Sequence, residues 1–121
     1  MDKLEKMFQQ QRQFIELLVE KRGHPEIPLD LSKKDSQLFL KNQSHECMHE
    51  MFEAIQHLKN AKVHRATDIP DFDRAAYTEE LADVFHYLIG ILICSDISVQ
   101  ELYQSYLSKG RVNIDRINGG Y

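Results

Sequence analysis

The chain has no tryptophan, two cysteines, three prolines, no excess of positive charge and no long hydrophobic run. A net charge of -4 gives no general attraction to nucleic acid or to an anionic membrane surface, so neither is an expected partner. Cys47 and Cys94 stand far apart, form no CxxC, and each falls inside an apolar helical pattern. They are expected as buried, reduced thiols, which fits a reducing cytoplasm. The longest apolar run, Leu88 to Cys94, is far shorter than the ~20 residues that span a bilayer. The polar, charged stretch from Met1 to Gln10 predicts neither an export signal nor a membrane anchor. Alternating strand patterns, internal repeats and low-complexity tracts are missing too, which removes a sheet from the expected fold.

What remains is helical, and 121 residues predict a single domain, 1–121, with a moderate core of its own. Leu4, Met7, Phe8, Phe14, Ile15 and Leu18 recur at helical spacing from Asp2 to about Lys21, and Gly23, Pro25 and Pro28 end that helix. Ser32 followed by Asp35 reads as a capping box opening a second helix, expected to run to about Lys62 with a break near Asn42 to Ser44. Residues 60–74 have no period and read as a loop. A third helix is predicted from about Arg74 to Cys94. Ser98 with Glu101 caps a fourth, which ends at Gly119 and Gly120.

The third helix is apolar on nearly every side, which predicts burial, in part against a second subunit. Within it stand Glu80, Asp83 and His86. A buried carboxylate must be paired, hydrogen-bonded or bound to a cation. On the second helix Glu46, Glu50, Glu53 and His57 project within about 60° of one another at 100° per residue. Two carboxylates spaced i and i+3 on each of two helices, Glu50 with Glu53 and Glu80 with Asp83, converge when the helices pack. They then make an oxygen-only site suited to hard Mg²⁺, for which phosphates are the natural further ligands. Lys109, Asn113 and Arg116 place two cations and an amide on one face of the fourth helix, and Lys62, His64 and Arg65 form a second basic cluster.

These residues resemble the fingerprint of the all-α NTP pyrophosphohydrolases, the MazG-like and dimeric dUTPase-like superfamily. Glu50xxGlu53 and Glu80xxAsp83 match its ExxE and ExxD. The KVHR stretch at Lys62 to Arg65, EELADVFH at Glu79 to His86, and the ending carried by Lys109, Asn113, Arg116, Gly120 and Tyr121 match its surroundings. The resemblance implies an all-α, four-helix MazG-like bundle completed by oligomerisation as a homodimer or homotetramer. It implies a cytoplasmic enzyme, in the host cytoplasm if phage-encoded, that cleaves a (deoxy)nucleoside triphosphate between the α and β phosphates to give monophosphate and pyrophosphate. Mg²⁺, or Mn²⁺ in its place, would be held by Glu50, Glu53, Glu80 and Asp83, with Glu50 orienting or deprotonating the attacking water. Lys62, Arg65, Lys109, Asn113, Arg116 and Tyr121 would bind phosphate or sugar, and Gln10, Gln11 and His86 the base. The leading substrate is dUTP, with dCTP or a purine dNTP as others. Many dUTP-specific members carry tryptophans around the base, and this chain has none.

Two other patterns compete. His45-Glu46-Cys47-Met48-His49 spells HExxH, a zinc metallopeptidase motif, but no strand is available to hold a peptide. Glu46xxHis49 and Asp83xxHis86 loosely imitate a di-iron site. A noncatalytic helical bundle is a further alternative, although all four carboxylates of the fingerprint are present.

Overall fold

The computed structural model describes residues 1–59, 62–69 and 71–120, and among them the protein is all-helical with no strand. Four helices follow in order: α1 (Lys3–Arg22), α2 (Lys34–Ile55), α3 (Arg74–Cys94) and α4 (Val99–Asn118). The chain divides into two compact units, one made of Met1–Leu29 with Leu92–Tyr121, the other of Asp30–Ile91.

In the first unit α1 packs on α4, and the helix ends are closed by their own residues. Asp2 accepts the Glu5 amide at 2.8 Å. Gly23 takes φ 67° beyond the last turn of α1, a left-handed conformation that glycine adopts without a Cβ clash. Ser98 accepts the Glu101 amide at 3.1 Å, as its spacing predicts. The buried row of α1 is Phe8, Gln11 and Ile15. The predicted stripe is therefore narrower than expected, because Met7 and Phe14 point to solvent. Leu29 donates its amide to the Cys94 carbonyl at 2.9 Å, tying the chain after α1 to the end of α3. Ile93 and Cys94 are buried in the same unit.

The second unit departs further from expectation. Ser32 does not cap α2; its hydroxyl donates to Asp30 Oδ1 at 2.6 Å and its amide to the same oxygen at 3.1 Å. These two bonds hold the Asp30 carboxyl below its usual range. Lys33 occupies the cap position with no side-chain bond, and α2 starts at Lys34. The helix continues unbroken through Asn42 to Ser44, where Ser44 bonds back to the Leu40 carbonyl at 2.9 Å without interrupting the ladder. It stops at Ile55 rather than near Lys62. The next amides tighten to i−3 bonds, His57 to Ala54 at 3.1 Å and Leu58 to Ile55 at 2.9 Å, winding the chain out of the α ladder. Asp73 opens α3 by accepting the Ala76 amide at 3.0 Å. Against α3, the Cys47 thiol donates to the Val84 carbonyl at 3.5 Å, so this cysteine is half-buried rather than fully enclosed. Ala54 and Ile89 are the buried apolar side chains here. The full burial expected of α3 is absent within the chain, since Phe85 is 52% exposed and Leu88 is also open.

Candidate metal centre

Glu50 on α2 and Glu80 and Asp83 on α3 each bring a carboxylate oxygen to within 4.8 Å of the others. The helical period explains the convergence: Glu80 and Asp83 lie i, i+3 on one face of α3, and the Cys47–Val84 contact sets that face beside the turn of α2 that carries Glu50. Glu50 and Glu80 are half-buried. Burial, then the charge of Glu53 and a hydrogen bond with it, then Asp83 and Glu80, push the Glu50 carboxyl above the ordinary glutamate value of 4.5. Each of these causes favours the neutral form of the carboxyl. Glu53 borders the three converging groups and also meets His49 at 3.3 Å across one turn of α2.

Two further side chains border the carboxylates: Tyr87, which escapes a reading of the sequence, and His57, expected on the acidic arc of the second helix. Tyr87, one turn beyond Asp83, faces the same charges; burial first, then Glu46, Glu50, Asp83 and Cys47, raise its phenol above the usual 10.0, so it stays a hydrogen-bond donor. The i, i+4 spacing of Asp83 and Tyr87 was the available signal, hidden in a run that reads as core. Burial and Glu50 likewise raise the Cys47 thiol and keep it protonated. The second neighbour is His57, whose Nε2 stands 3.9 Å from Glu80 Oε1. The early end of α2 takes His57 off the helical arc it was expected to share with Glu46, Glu50 and Glu53.

The other expected site residues are placed as follows. Lys62 and Arg65 are exposed at the two ends of one turn, closed by a 3.1 Å bond from the Arg65 amide to the Lys62 carbonyl. Lys109, Asn113 and Arg116 are exposed on α4, in the other compact unit. Gln11 is buried on the packed face of α1, and Gln10 beside it is exposed. His86 is exposed on α3, and Tyr121 lies outside the described residues. His45, Glu46 and His49 lie along α2 with both imidazoles exposed. Among the described residues the convergent ligand group is Glu50, Glu80 and Asp83, without these histidines or His86.

No protein-family model, no curated protein and no solved structure matches the chain. The chemistry of the donor set therefore carries the interpretation. Three hard carboxylate oxygens suit Mg²⁺ or Mn²⁺ and not a thiolate-seeking metal. Mg–O bonds of about 2.1 Å set opposite ligands about 4.2 Å apart, a separation comparable to the 4.8 Å within which the three oxygens lie.

Proposed function

We propose that this chain is a Mg²⁺-dependent nucleoside triphosphate pyrophosphohydrolase of the MazG-like and dimeric dUTPase-like kind, converting a dNTP and water to dNMP and pyrophosphate. The observation that carries the reading is the convergence of Glu50, Glu80 and Asp83 from two helices, in the spacing that the ExxE and ExxD fingerprint implies. A divalent ion bound there supplies charge neutralisation for the polyphosphate and lowers the pKa of a coordinated water.

The residues then divide the work. Glu80 and Asp83 hold the cation from one face of α3. Glu50, whose proton affinity is raised by burial and by Glu53, accepts the proton of the water that attacks phosphorus, as a base with a pKa drawn toward the working pH. Glu53, beside Glu50 on α2, adds to that proton affinity through its charge. Tyr87 offers a neutral donor to the same pocket. Lys62, Arg65, Lys109, Asn113 and Arg116 keep the phosphate and sugar contacts that the resemblance implies, and dUTP remains the leading substrate.

Self-association belongs to the same proposal. Met48, Phe52 and Ile55 on α2 and Phe85 and Leu88 on α3 are exposed at helical spacing, and apolar stripes of this kind call for a cover. A second copy covers it and completes a helical bundle in the cytoplasm. No single helix among the described residues is long and apolar enough to cross a membrane.

The test is direct. Purified protein is incubated with dUTP, dCTP, dTTP, dATP and dGTP, with Mg²⁺ and with chelator, and products are separated chromatographically. Metal-dependent monophosphate and pyrophosphate are expected; orthophosphate as the product, or no turnover of any nucleotide, overturns the reaction. Light scattering should give a dimer or tetramer, and Phe52→Ala should shift it toward monomer.

A further inference from the structure

The α2–α3 unit carries two surface features of opposite charge that the proposed reaction does not use. The first is an open groove of about 560 Å³ along the first turns of α2, walled by Leu31, Leu38, Leu40 and, near the end of α3, Ile91. Gln37 and Ser44 also line it, but each commits a side-chain donor to a backbone carbonyl, of Leu31 at 2.6 Å and of Leu40 at 2.9 Å. The charge the groove presents is therefore that of its two lysines, Lys34 and Lys41. The second feature leads into α3, where the exposed side chains of Ile69 and Phe72 stand among Asp68, Asp71 and Asp73. Asp73 accepts the Ala76 amide at 3.0 Å, and the Phe72 ring meets Tyr77 edge to face at 5.3 Å, which fixes Phe72 at the start of the helix. Ile91 lies about 25 Å along α3 from Arg74, at about 1.5 Å per residue. Phe72 cannot reach the groove of its own chain.

We propose that the groove receives Phe72, with Asp68 and Asp71, from a second copy of the chain, in a reciprocal clasp between two copies whose α3 helices run antiparallel. This inference rests on the self-association reading above and is independent of the metal centre. A two-fold axis across α3 brings the start of that helix in one copy to its end in the other. Each copy then gives one acidic entry segment and receives one, the self-complementary pattern of an isologous dimer. Parallel pairing would set lysines against lysines and aspartates against aspartates, a repulsive arrangement. The surface beyond the groove agrees with the same partner. Lys34, Gln37, Lys41 and Ser44 are continued along α2, at alternating spacings of three and four, by the exposed Met48, Met51 and Ile55. The groove thus lies on the same stripe of α2 as apolar residues that call for a cover. Phe72 supplies the apolar anchor for Leu31, Leu38 and Ile91, while Asp68 and Asp71 supply counter-charges for Lys34 and Lys41. An aromatic anchor in a pocket with charges at its rim concentrates binding energy and fixes orientation.

The experiment is sedimentation equilibrium of the full chain in chelator, without nucleotide, on two charge-reversed variants alone and mixed in equal amounts. One carries Lys34→Glu with Lys41→Glu, the other Asp68→Lys with Asp71→Lys; all four positions are exposed, and circular dichroism confirms the helix content of each. Alone, each variant sets like charges across both contacts, and its self-association should weaken by about 10- to 100-fold. In the mixture both contacts of a mixed pair regain opposite charges, so association should return to the wild-type level and salt should weaken it. Phe72→Ala should weaken the wild-type pairing by about 30-fold. Two variants that associate as tightly as the wild type overturn the clasp and leave self-association standing. Two weakened variants that stay apart when mixed also overturn it, because groove and entry segment then do not meet. Decanoate, a carboxylate with an apolar tail, should compete with pairing; its binding to the groove of an intact dimer makes the groove a small-molecule site and overturns the clasp. A wild type that is monomeric at every concentration removes the self-association reading itself.

Discussion

The two compact units meet the same physical demands in opposite ways. In the α1–α4 unit each helix finds a stop or start residue in its own sequence, Asp2, Gly23 and Ser98, and Phe8, Ile15, Leu29, Ile93 and Cys94 are buried together. In the α2–α3 unit, α2 begins on Lys33 without a side-chain cap. There Ala54 and Ile89 are the buried apolar residues, while Phe52, Met48 and Phe85 face outward. Its carboxylates are gathered rather than spread. Both units leave large apolar side chains exposed, Phe14, Ile114 and Ile117 in the first and Met48, Phe52 and Phe85 in the second; the second also gathers Glu50, Glu80 and Asp83, a concentration of negative charge that the proposed function answers with a cation. Under the proposed function the chemistry belongs to the unit that gathers the carboxylates.

The widest break between the units comes from catalytic substitutions. Glu50→Gln removes the base and a ligand, and should lower kcat by about 10²–10⁴-fold. It should also raise the metal-free melting temperature, because like charges at Glu53, Glu80 and Asp83 lose a partner in repulsion. Thermal melts with and without Mg²⁺ beside a steady-state assay check both halves; a lower metal-free melting temperature means Glu50 holds the unit together and undoes the comparison. In the first unit the expectation reverses. Ile93 is 1% exposed, and Ile93→Ala should cost about 2–5 kcal/mol through lost burial and a cavity, with the metal affinity of whatever remains folded unchanged. Denaturant titration and Mn²⁺ binding at low denaturant separate the two effects.

The same contrast explains what the sequence disclosed. The four helices and the absence of sheet were legible because long periodic runs bounded by Gly23, Pro25 and Ser98 report local physics. Glu50, Glu80 and Asp83 were legible as one group because i, i+3 spacing on two helices states a face and a charge, whereas Glu53, expected with them, is not among the groups that converge. Where α2 ends was not legible: no proline or glycine marks Gln56 or His57, and the stop is made by i−3 bonds that propensity does not encode. That single difference moved His57 from a helical stripe to a contact with Glu80. Ser32 misled for a related reason, since Asp30 two residues earlier competes for its hydroxyl and wins with a 2.6 Å bond. Tyr87 went unnoticed because a phenol in an apolar run carries no sign of the charges that face it. The outward side of Phe85 was not legible either, because an all-round apolar pattern does not say which of its residues face the chain's own core.

Acidity offers a smaller but cleaner separation. Glu50 binds its proton more tightly folded than unfolded, since burial and Glu53 raise its value above 4.5. The folded state therefore holds the extra proton in the window that starts at the unfolded value and extends upward through the folded one. Stability falls as pH rises through that window in the absence of metal. Mg²⁺ must displace the same proton, so its affinity rises over the same window, and saturating Mg²⁺ should flatten or invert the slope. Melting temperatures from pH 4 upward, in chelator and in Mg²⁺, read this; Glu50→Gln should abolish the metal-free slope, and if the slope persists in that variant another group owns it.

The smallest effect is the sharpest test of how the helices begin. Ser98 accepts the Glu101 amide and so satisfies one of the free donors at the start of α4, and Ser98→Ala should destabilise the protein by about 1 kcal/mol. Ser32 occupies what reads as the same motif, yet its bonds go to Asp30, and the cap position of α2 falls to Lys33, which makes no side-chain bond there. Ser32→Ala should cost less than Ser98→Ala, and Lys33→Asp, which places an acceptor at the actual cap of α2, should stabilise it. Denaturant midpoints of the three variants decide the order. Equal losses from the two serines would mean that Ser32 caps α2 in solution, and α2 would then begin as firmly as α4.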